Sequence, residues 1–451
     1  MDDTRDRSFP CDPNESETEP DTTPRAHPKT PLSGQVARWQ RDNSIDDAAT
    51  QPLATLPLHG FWTHANLMPQ VPIVIGVDIG GTKIKAGAVR VGPGDVGTTV
   101  VASQEIATPR AEPAAFYDAV ARLVEQVRAS AEGDGFAVLP LVAVAHPGRF
   151  LHDGLLARGT TPNLGTAPGQ FDGCVPAQEL QYRLSMPVFA ENDAIAQMRF
   201  GMDALLRDAA VRSHLLGQTV VYLGPGTGMG GGVARIDHTG EVTVITDGHL
   251  FDLRLPGVGD STLTAEEVFT GPAIAHEVTR RNRGLSRPIE PPTAPRIDEI
   301  LRGPEPRASA EQRTEAAQLA DAYGDLLALV IATVHSGRIV KVRLETTPDG
   351  AILRHVDEPD RAWSAADRAA AREARVFLLG GSVGCSRGLG RRLQHRALET
   401  LRQRGLGHLV IFQVPVASAD AGWLGAVKSL PIDELRRLAT SGGPSALRGT
   451  D

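Results

Sequence analysis

Two glycine-rich turns, each flanked by apolar strand-like residues, contain the residue types that could hold a phosphate. The first is Asp78-Ile79-Gly80-Gly81-Thr82-Lys83, and the second is Gly226-Thr227-Gly228-Met229-Gly230-Gly231. Each turn continues into another strand-like run, so each is predicted to form the tip of a β-hairpin. Glycine tolerates unusual backbone dihedrals and adds no side-chain bulk, so several N–H groups at such a tip can face an anion. The pair predicts a duplicated phosphate clamp and, with it, phosphoryl transfer.

Two other nucleotide-binding motifs fit these turns less well. A P-loop requires Gly-Lys followed by Ser or Thr, and the chain contains no Gly-Lys dipeptide. Residues 226–231 match the dinucleotide pattern GxGxxG, but that pattern has to open a helix, and residues 232–236 read as a strand. Plain tight hairpins are the remaining alternative. They are disfavoured because both turns carry a threonine and the first follows an acidic strand end.

Composition narrows the expected partners and location. The 451 residues suffice for two domains, and the formal net charge of -8 favours neither nucleic acid nor an anionic membrane as partner. Cys11, Cys174 and Cys385 lie far apart and form no CxxC pair, which fits a reducing cytoplasm. No apolar run approaches the about 20 residues needed to cross a bilayer. The first residues show no apolar signal core, so we expect a cytoplasmic protein.

Residues 1–70 differ from the rest of the chain. They are rich in proline and acidic residues, and cannot bury enough apolar surface to offset the entropy of ordering. A mostly disordered tail is predicted, with a short helix near residues 35–41 and docking of residues 53–67 left open. The amphipathic, basic helices of a DNA-binding head are not evident here.

From residue 71 the pattern alternates strands and helices. An N-terminal α/β domain is predicted over residues 71–190, completed by a closing helix over 427–441, and a C-terminal α/β domain over 191–426. Insertions are expected near 282–308, interpreted as a loop, and near 337–373, where residues 339–345 read as a strand and the charged remainder is not assigned. Repetition of a strand–hairpin–strand unit followed by helices indicates an internal duplication. We expect a ligand to bind in the cleft between the two predicted α/β domains.

In its two glycine-rich turns and in two later segments, the chain resembles the ROK family of sugar kinases and regulators, within the actin-like ATPase fold. Residues 78–83 and 226–231 resemble the two phosphate motifs of the family, 379–383 its adenosine loop and 421–426 its C-terminal helix. The resemblance implies the fold class: an α/β, two-domain actin-like ATPase (ribonuclease H-like) fold, with duplicated β-hairpin phosphate loops and an inter-domain cleft.

The resemblance also implies roles for individual residues. Asp193, which follows an apolar strand at a predicted helix start, is the candidate general base; the alternative is that it and Asn192 only cap the helix. Asp78 would hold Mg²⁺ through water. The predicted nucleotide-binding residues are Asp78, Gly80, Gly81, Thr82, Lys83, Gly226, Thr227, Gly228, Gly380 and Gly381. The predicted sugar-binding residues are Asn163, Asn192, His249 and Glu266.

The chain departs from the family pattern in two places. Many members bind zinc through the histidine equivalent to His249 and cysteines just after it, but residues 250–270 contain no cysteine and Thr264 stands where the last would fall. No zinc is therefore predicted, which leaves His249 for the substrate. The family has glutamate where this chain has Thr246. Losing a hydrogen bond to that charge costs about 1.5–3 kcal/mol, so either Asp247 replaces it or the substrate differs from glucose.

The expected function is an ATP- and Mg²⁺-dependent kinase acting on a hydroxyl of a hexose or related cyclic polyol. A homodimer is expected, since the family is often dimeric. The alternatives are a C7-cyclitol or amino-sugar kinase, polyphosphate in place of ATP, or a non-catalytic sugar-sensing protein on the same fold. ATP hydrolysis coupled to a change of shape fits the fold alone, and a fold does not establish a function.

Overall fold

Two five-stranded sheets organise the fold, and each contains one of the glycine-rich turns. The computed structural model describes residues 73–430 except for 93–94, 152–153, 162–163, 168, 247–249, 251–252, 257–263, 304–307, 338–341, 347–351, 358–362 and 416–419. These described residues belong to one compact unit. The predicted tail over residues 1–70 lies outside them.

The first sheet has the order β3-β2-β1-β4-β5, with β1 to β3 antiparallel and β4 and β5 parallel to β1. Its segment contains β1 (Ile73–Ile79), β2 (Lys83–Gly92), β3 (Asp95–Ala107), α1 (Pro113–Gly133), β4 (Val138–His146), α2 (Pro176–Leu184) and β5 (Val188–Asn192). Strand β1 is apolar except for Asp78 because it is central and covered on both faces. Helix α1 covers one face with Phe116, Val120 and Val124.

The second sheet repeats this plan. Its order is β12-β11-β6-β7-β8, with β6 to β8 antiparallel and β11 and β12 parallel to β6. Its segment contains α3 (Asp193–Arg207), α4 (Ala209–Leu215), β6 (Thr219–Pro225), β7 (Met229–Ile236), β8 (Val242–Val244), α5 (Ala265–Val268), α6 (Gly271–Arg281), α7 (Ala294–Leu301), α8 (Ala310–His335), β9 (Val342–Thr346), β10 (Ile352–Asp357), α9 (Ala365–Glu373), β11 (Val376–Leu379), α10 (Gly381–Gly384), α11 (Leu389–Gln403), β12 (Val410–Gln413) and α12 (Ala421–Lys428). The duplicated sheet plan confirms the predicted fold class.

The two predicted insertions contain regular structure. The stretch 282–308, interpreted as a loop, includes α7, which begins because the Thr293 side chain accepts a hydrogen bond from the Arg296 N–H and because Pro295 lies in the first turn. The unassigned stretch 337–373 contains the antiparallel β9–β10 hairpin and α9. Helix α12, which begins the predicted closing helix, ends at Lys428 with Ser429 as its C-cap, and residues 431–441 lie outside the described part.

Helix α8 is a core helix of the second sheet. Among the described helices it alone is long and apolar enough to span a membrane, yet 56% of its most apolar window is buried inside the protein. Its buried residues belong to the core of the second sheet. Two arginine–aspartate pairs also join it to α11, Arg392 with Asp321 and Arg396 with Asp325. The apolar composition of this helix is therefore explained by its packing in the core of the second sheet.

Helix α12 packs closely on β1 and α3 because glycines remove the intervening side chains. A Cβ atom at Gly425 would collide with the carbonyl oxygen of Ala196 on α3. A Cβ atom at Gly422 would collide with the Asp78 carboxylate. Helix α12 is thus held against the end of β1 and the side of α3, which are the two elements that carry Asp78 and Asp193.

Replacing Gly425 with alanine is expected to destabilise the protein by about 1–3 kcal/mol, because the added methyl group forces α12 away from α3. Gly133 at the end of α1 has open space around it, so Gly133→Ala serves as the control. That change should stabilise by roughly 0.5–1 kcal/mol. Urea unfolding of the two variants measures both effects, and equal stability of Gly425→Ala and the wild type would contradict this packing.

Candidate active site

At the tip of the first hairpin the carbonyl groups are hydrogen-bonded and two N–H groups have no acceptor among the described residues. The Gly80 carbonyl accepts a hydrogen bond from the Thr108 hydroxyl at 2.6 Å. The Gly81 carbonyl accepts one from the Arg110 guanidinium at 3.2 Å. The Thr82 carbonyl accepts one from the Thr108 N–H at 3.0 Å. Among the described residues, the N–H groups of Gly81 and Thr82 have no acceptor.

The tip of the second hairpin is arranged in the same way. The Gly226 carbonyl accepts a hydrogen bond from the Gly271 N–H at 2.8 Å, and the Gly228 carbonyl accepts one from the Gly226 N–H at 2.9 Å. Within the described part of the chain, the N–H groups of Thr227 and Gly228 donate to no acceptor. Each tip therefore offers two backbone donors and a threonine hydroxyl, a donor set that suits phosphate oxygens.

Asp78 lies at the end of β1, beside the first tip and against the first turn of α12. Burial raises the pKa of Asp78 to about 6, a rise that Lys83 and Lys85 oppose and Asp420 adds to. Lys85 is itself paired with Asp420 at 2.6 Å. The carboxylate is thus ionised above about pH 6. A carboxylate oxygen is the kind of ligand that Mg²⁺ prefers, so this residue fits the metal that the resemblance implies.

Lys83 forms an ion pair with Glu105 at 2.8 Å, and both side chains are about half exposed. Its predicted contact with a phosphate therefore requires the ammonium group to be shared with Glu105 or released from it.

Asp193 and Asn192 form the start of α3. The Asn192 side-chain oxygen accepts from the N–H groups of Ala194 and Ile195, at 2.9 and 3.3 Å, and its amide donates to the Gly148 carbonyl at 2.9 Å. Asn192 therefore does cap the helix, and one amide hydrogen is left for a sugar. Asp193 accepts from the Ala194 N–H through Oδ1 at 2.8 Å. The N–H group of Asp193 itself also hydrogen-bonds to this carboxyl group.

The charges of Asp78 and Glu266 both influence Asp193. Burial raises the pKa of Asp193 to about 7, and the neighbouring charges of Asp78 and Glu266 add to the rise, whereas hydrogen bonds from backbone N–H groups oppose it. Glu266 on α5 accepts a hydrogen bond from the Met229 N–H at 3.3 Å, beside the second tip. The sequence-predicted residues Asp78, Asp193 and Glu266 therefore share one site with the hairpin tips.

The predicted adenosine loop lies against the second hairpin. The Gly380 N–H donates to the Leu223 carbonyl at 2.7 Å, and the Gly381 N–H donates to the Tyr222 hydroxyl at 3.2 Å. A Cβ atom at Gly226 would lie 3.5 Å from the Ser382 hydroxyl, so the tip and the loop are neighbours. Sequence reasoning missed Tyr222, because a tyrosine within an apolar strand reads as a core residue.

Two of the predicted sugar-binding residues, Asn163 and His249, lie outside the described residues. Thr246 is buried, and its hydroxyl accepts a hydrogen bond from the Val233 N–H at 2.8 Å. Thr264 caps α5 through a capping box with Glu267. The two threonines at which the chain departs from the family pattern thus hydrogen-bond to the backbone. Thr264, the second of them, is the N-cap of the helix that carries Glu266.

Comparisons with known proteins agree with this architecture. Residues 74–251 match the model of the ROK family, which confirms the resemblance to that family. A ROK family transcriptional regulator described as a homologue of the Escherichia coli Mlc protein is 14% identical, covers 83% of this chain and 82% of its own, and has a TM-score of 0.56. A ROK family protein from Streptococcus pneumoniae, in complex with sucrose, is 15% identical, covers 82% and 99%, and has a TM-score of 0.51. No curated protein matches the chain. At these identities the solved structures show a shared fold.

The raised pKa of Asp193 predicts how stability depends on pH. Folded Asp193 keeps its proton up to about pH 7, whereas the unfolded residue ionises near 3.8, so stability should fall as pH rises between those values. Asp193→Asn removes this effect and should raise the free energy of unfolding at pH 8 by on the order of 1–4 kcal/mol, with little change near pH 4. Urea unfolding at both pH values tests this.

The exposed Asp134 provides a matched control, since Asp134→Asn removes a charge outside the site. An Asp193→Asn variant with the same pH dependence as the wild type and Asp134→Asn would contradict burial of the Asp193 charge.

Proposed function

We propose that the chain is an ATP-dependent kinase that phosphorylates a hydroxyl of a hexose or related cyclic polyol, with Asp193 as general base. The observation that carries the proposal is the pair of hairpin tips in which the N–H groups of Gly81, Thr82, Thr227 and Gly228 have no acceptor among the described residues. Asp193 shares the site with both tips. Paired backbone N–H groups suit the phosphates of a nucleotide. A carboxylate beside them suits the removal of a proton from an alcohol.

On the donor side, the N–H groups of Gly81, Thr82, Thr227 and Gly228 would bind phosphate oxygens. Asp78 would hold Mg²⁺ through water, and the loop at Gly380 and Gly381 would receive the adenosine. When bound, magnesium–ATP supplies the transferable phosphoryl group and neutralises charge on it. The glycines keep both tips free of side chains larger than threonine, which supports close approach of the phosphates.

On the acceptor side, the Asp193 carboxylate would take the proton of the attacking hydroxyl. A pKa of about 7 makes this carboxylate a stronger base than an exposed aspartate while leaving it largely ionised just above neutral pH. Glu266 would orient the substrate from α5, together with Asn192, Asn163 and His249. Removing the proton as the new bond to phosphorus forms avoids a charged oxonium product.

Thr246 bears on the identity of the acceptor. Its hydroxyl is committed to the Val233 N–H, so this position supplies no carboxylate to a substrate hydroxyl. This supports an acceptor with a hydroxyl pattern different from that of glucose, such as a C7-cyclitol or an amino sugar. A cytoplasmic homodimer without structural zinc, with domains at residues 71–190 and 191–426, belongs to the same proposal.

A sugar-sensing protein is the second candidate, because the Mlc homologue of the same fold is described as a transcriptional regulator. Since one fold serves both roles, the site residues have to distinguish them. A sensor needs no general base, whereas Asp193 is a buried carboxyl group with a pKa of about 7, influenced by the charges of Asp78 and Glu266. This observation favours the kinase.

Asp193→Asn is expected to reduce kcat by about 100-fold or more, because an amide cannot accept the proton, while ATP still binds. Coupled ADP release over a panel of hexoses, amino sugars and cyclitols identifies the acceptor and measures the loss. Asp134→Asn is the control. Folded wild-type protein that releases ADP no faster with any acceptor than without one would contradict the proposal.

The pH dependence of turnover gives an independent test. The general base has to be ionised, so kcat/KM for the acceptor should rise about tenfold per pH unit at low pH and reach a plateau above pH about 7. Measurement with saturating magnesium–ATP between pH 5.5 and 8.5 gives the profile. A flat profile across this range would rule out a base with the pKa of Asp193.

A further inference from the structure

Tyr222 joins the two segments that are predicted to bind the donor. It lies on β6, four residues before Gly226 at the second hairpin tip, and is 2% exposed. Its hydroxyl accepts a hydrogen bond from the Gly381 N–H at 3.2 Å. The residue is therefore shared between the strand that leads to the phosphate tip and the loop that follows β11.

The phenol ring also fixes the spacing of these segments. A Cβ atom at Gly224, next to the tip, would lie 2.8 Å from Tyr222 Cε1. A Cβ atom at Gly380, in the adenosine loop, would collide with the same ring. Both segments thus contact the ring through glycine, and any larger residue on either side would move the loop away from the tip.

We propose that Tyr222 is a positioning residue that holds the adenosine loop at the distance from the phosphate tip that a nucleotide donor requires. The inference rests on the proposed kinase function. Because the Gly381 N–H is used by Tyr222, the loop would contribute shape and backbone placement rather than this donor group. A ligand made of phosphates alone contacts only the tips, so it does not depend on Tyr222.

This difference gives a direct test with ADP and inorganic tripolyphosphate as probes. Tyr222→Phe removes the hydroxyl and leaves the Gly381 N–H without its acceptor. The expected result is an about five-fold weaker binding of ADP and a similar rise in KM for ATP, the size expected for one neutral hydrogen bond. Calorimetric binding of tripolyphosphate and the KM for the acceptor should not change.

Tyr117→Phe is the matched control. Tyr117 is equally buried and its hydroxyl is hydrogen-bonded to His146 at 3.2 Å, in the first sheet. Both variants should lose similar stability, but only Tyr222→Phe should bind ADP more weakly than the wild type does. Unchanged ADP binding by folded Tyr222→Phe, or equal weakening of ADP and tripolyphosphate, would overturn the inference.

If Tyr222→Phe does not fold, Gly224→Ala tests the same contact, because the added methyl group crowds the ring while the hydroxyl remains. This variant should weaken the binding of ADP more than the binding of tripolyphosphate, and equal weakening of the two would overturn the inference. These binding measurements need no acceptor. A wild type that binds ADP but phosphorylates nothing would refute the proposed kinase and still leave the Tyr222 comparison decisive.

Discussion

Burial of carboxylate charge between the two sheets is the constraint on which the rest of the structure depends. Asp78 and Asp193 both have pKa values raised mainly by burial, and the charge of Asp78 raises the pKa of Asp193 further. Lys83, Lys85 and the Ala194 N–H partly offset this cost. A protein that keeps two such groups close together sacrifices stability at neutral pH, a common property of functional sites.

Backbone contacts without side chains make this arrangement possible. Gly422 lets α12 approach the Asp78 carboxylate, and Gly425 lets the same helix approach Ala196 on α3. On the other side of α3, a Cβ atom at Gly230 would lie 2.6 Å from the Ala194 Cβ, so β7 is equally close. Helix α3 is therefore held between α12 and the second hairpin. Asp193 is fixed relative to both hairpin tips before any ligand binds, which favours catalysis by positioning.

Much of the fold could be predicted because apolar periodicity reflects burial. Strand β1 runs over Ile73–Ile79 as its apolar residues predict, and the apolar spacing within residues 312–336 predicts a helix close to the observed range of α8, Ala310–His335. Helix α7 was missed because the prolines around it favoured a loop, although Thr293 with a proline in the following turn is a helix-start signal. The β9–β10 hairpin was not assigned, since its charged surroundings obscure alternation.

The site was less accessible to sequence reasoning. Asp78, Asp193 and Glu266 stand in or next to recognisable motifs, and the structure brings them together. The Lys85–Asp420 pair, the Arg110 contact with the first tip and the Tyr222 contact with the adenosine loop join segments far apart in the chain. No local pattern encodes such contacts, because each depends on how whole elements pack.

The most direct test of the central claim is the amide NMR spectrum of the protein, recorded with and without a non-hydrolysable magnesium–ATP analogue. The N–H signals of Gly81, Thr82, Thr227 and Gly228 should shift together as the analogue saturates, because these groups gain phosphate acceptors, while the signal of Gly133 stays in place. Binding of the analogue that leaves all four signals unchanged would show that the hairpin tips do not hold the phosphates.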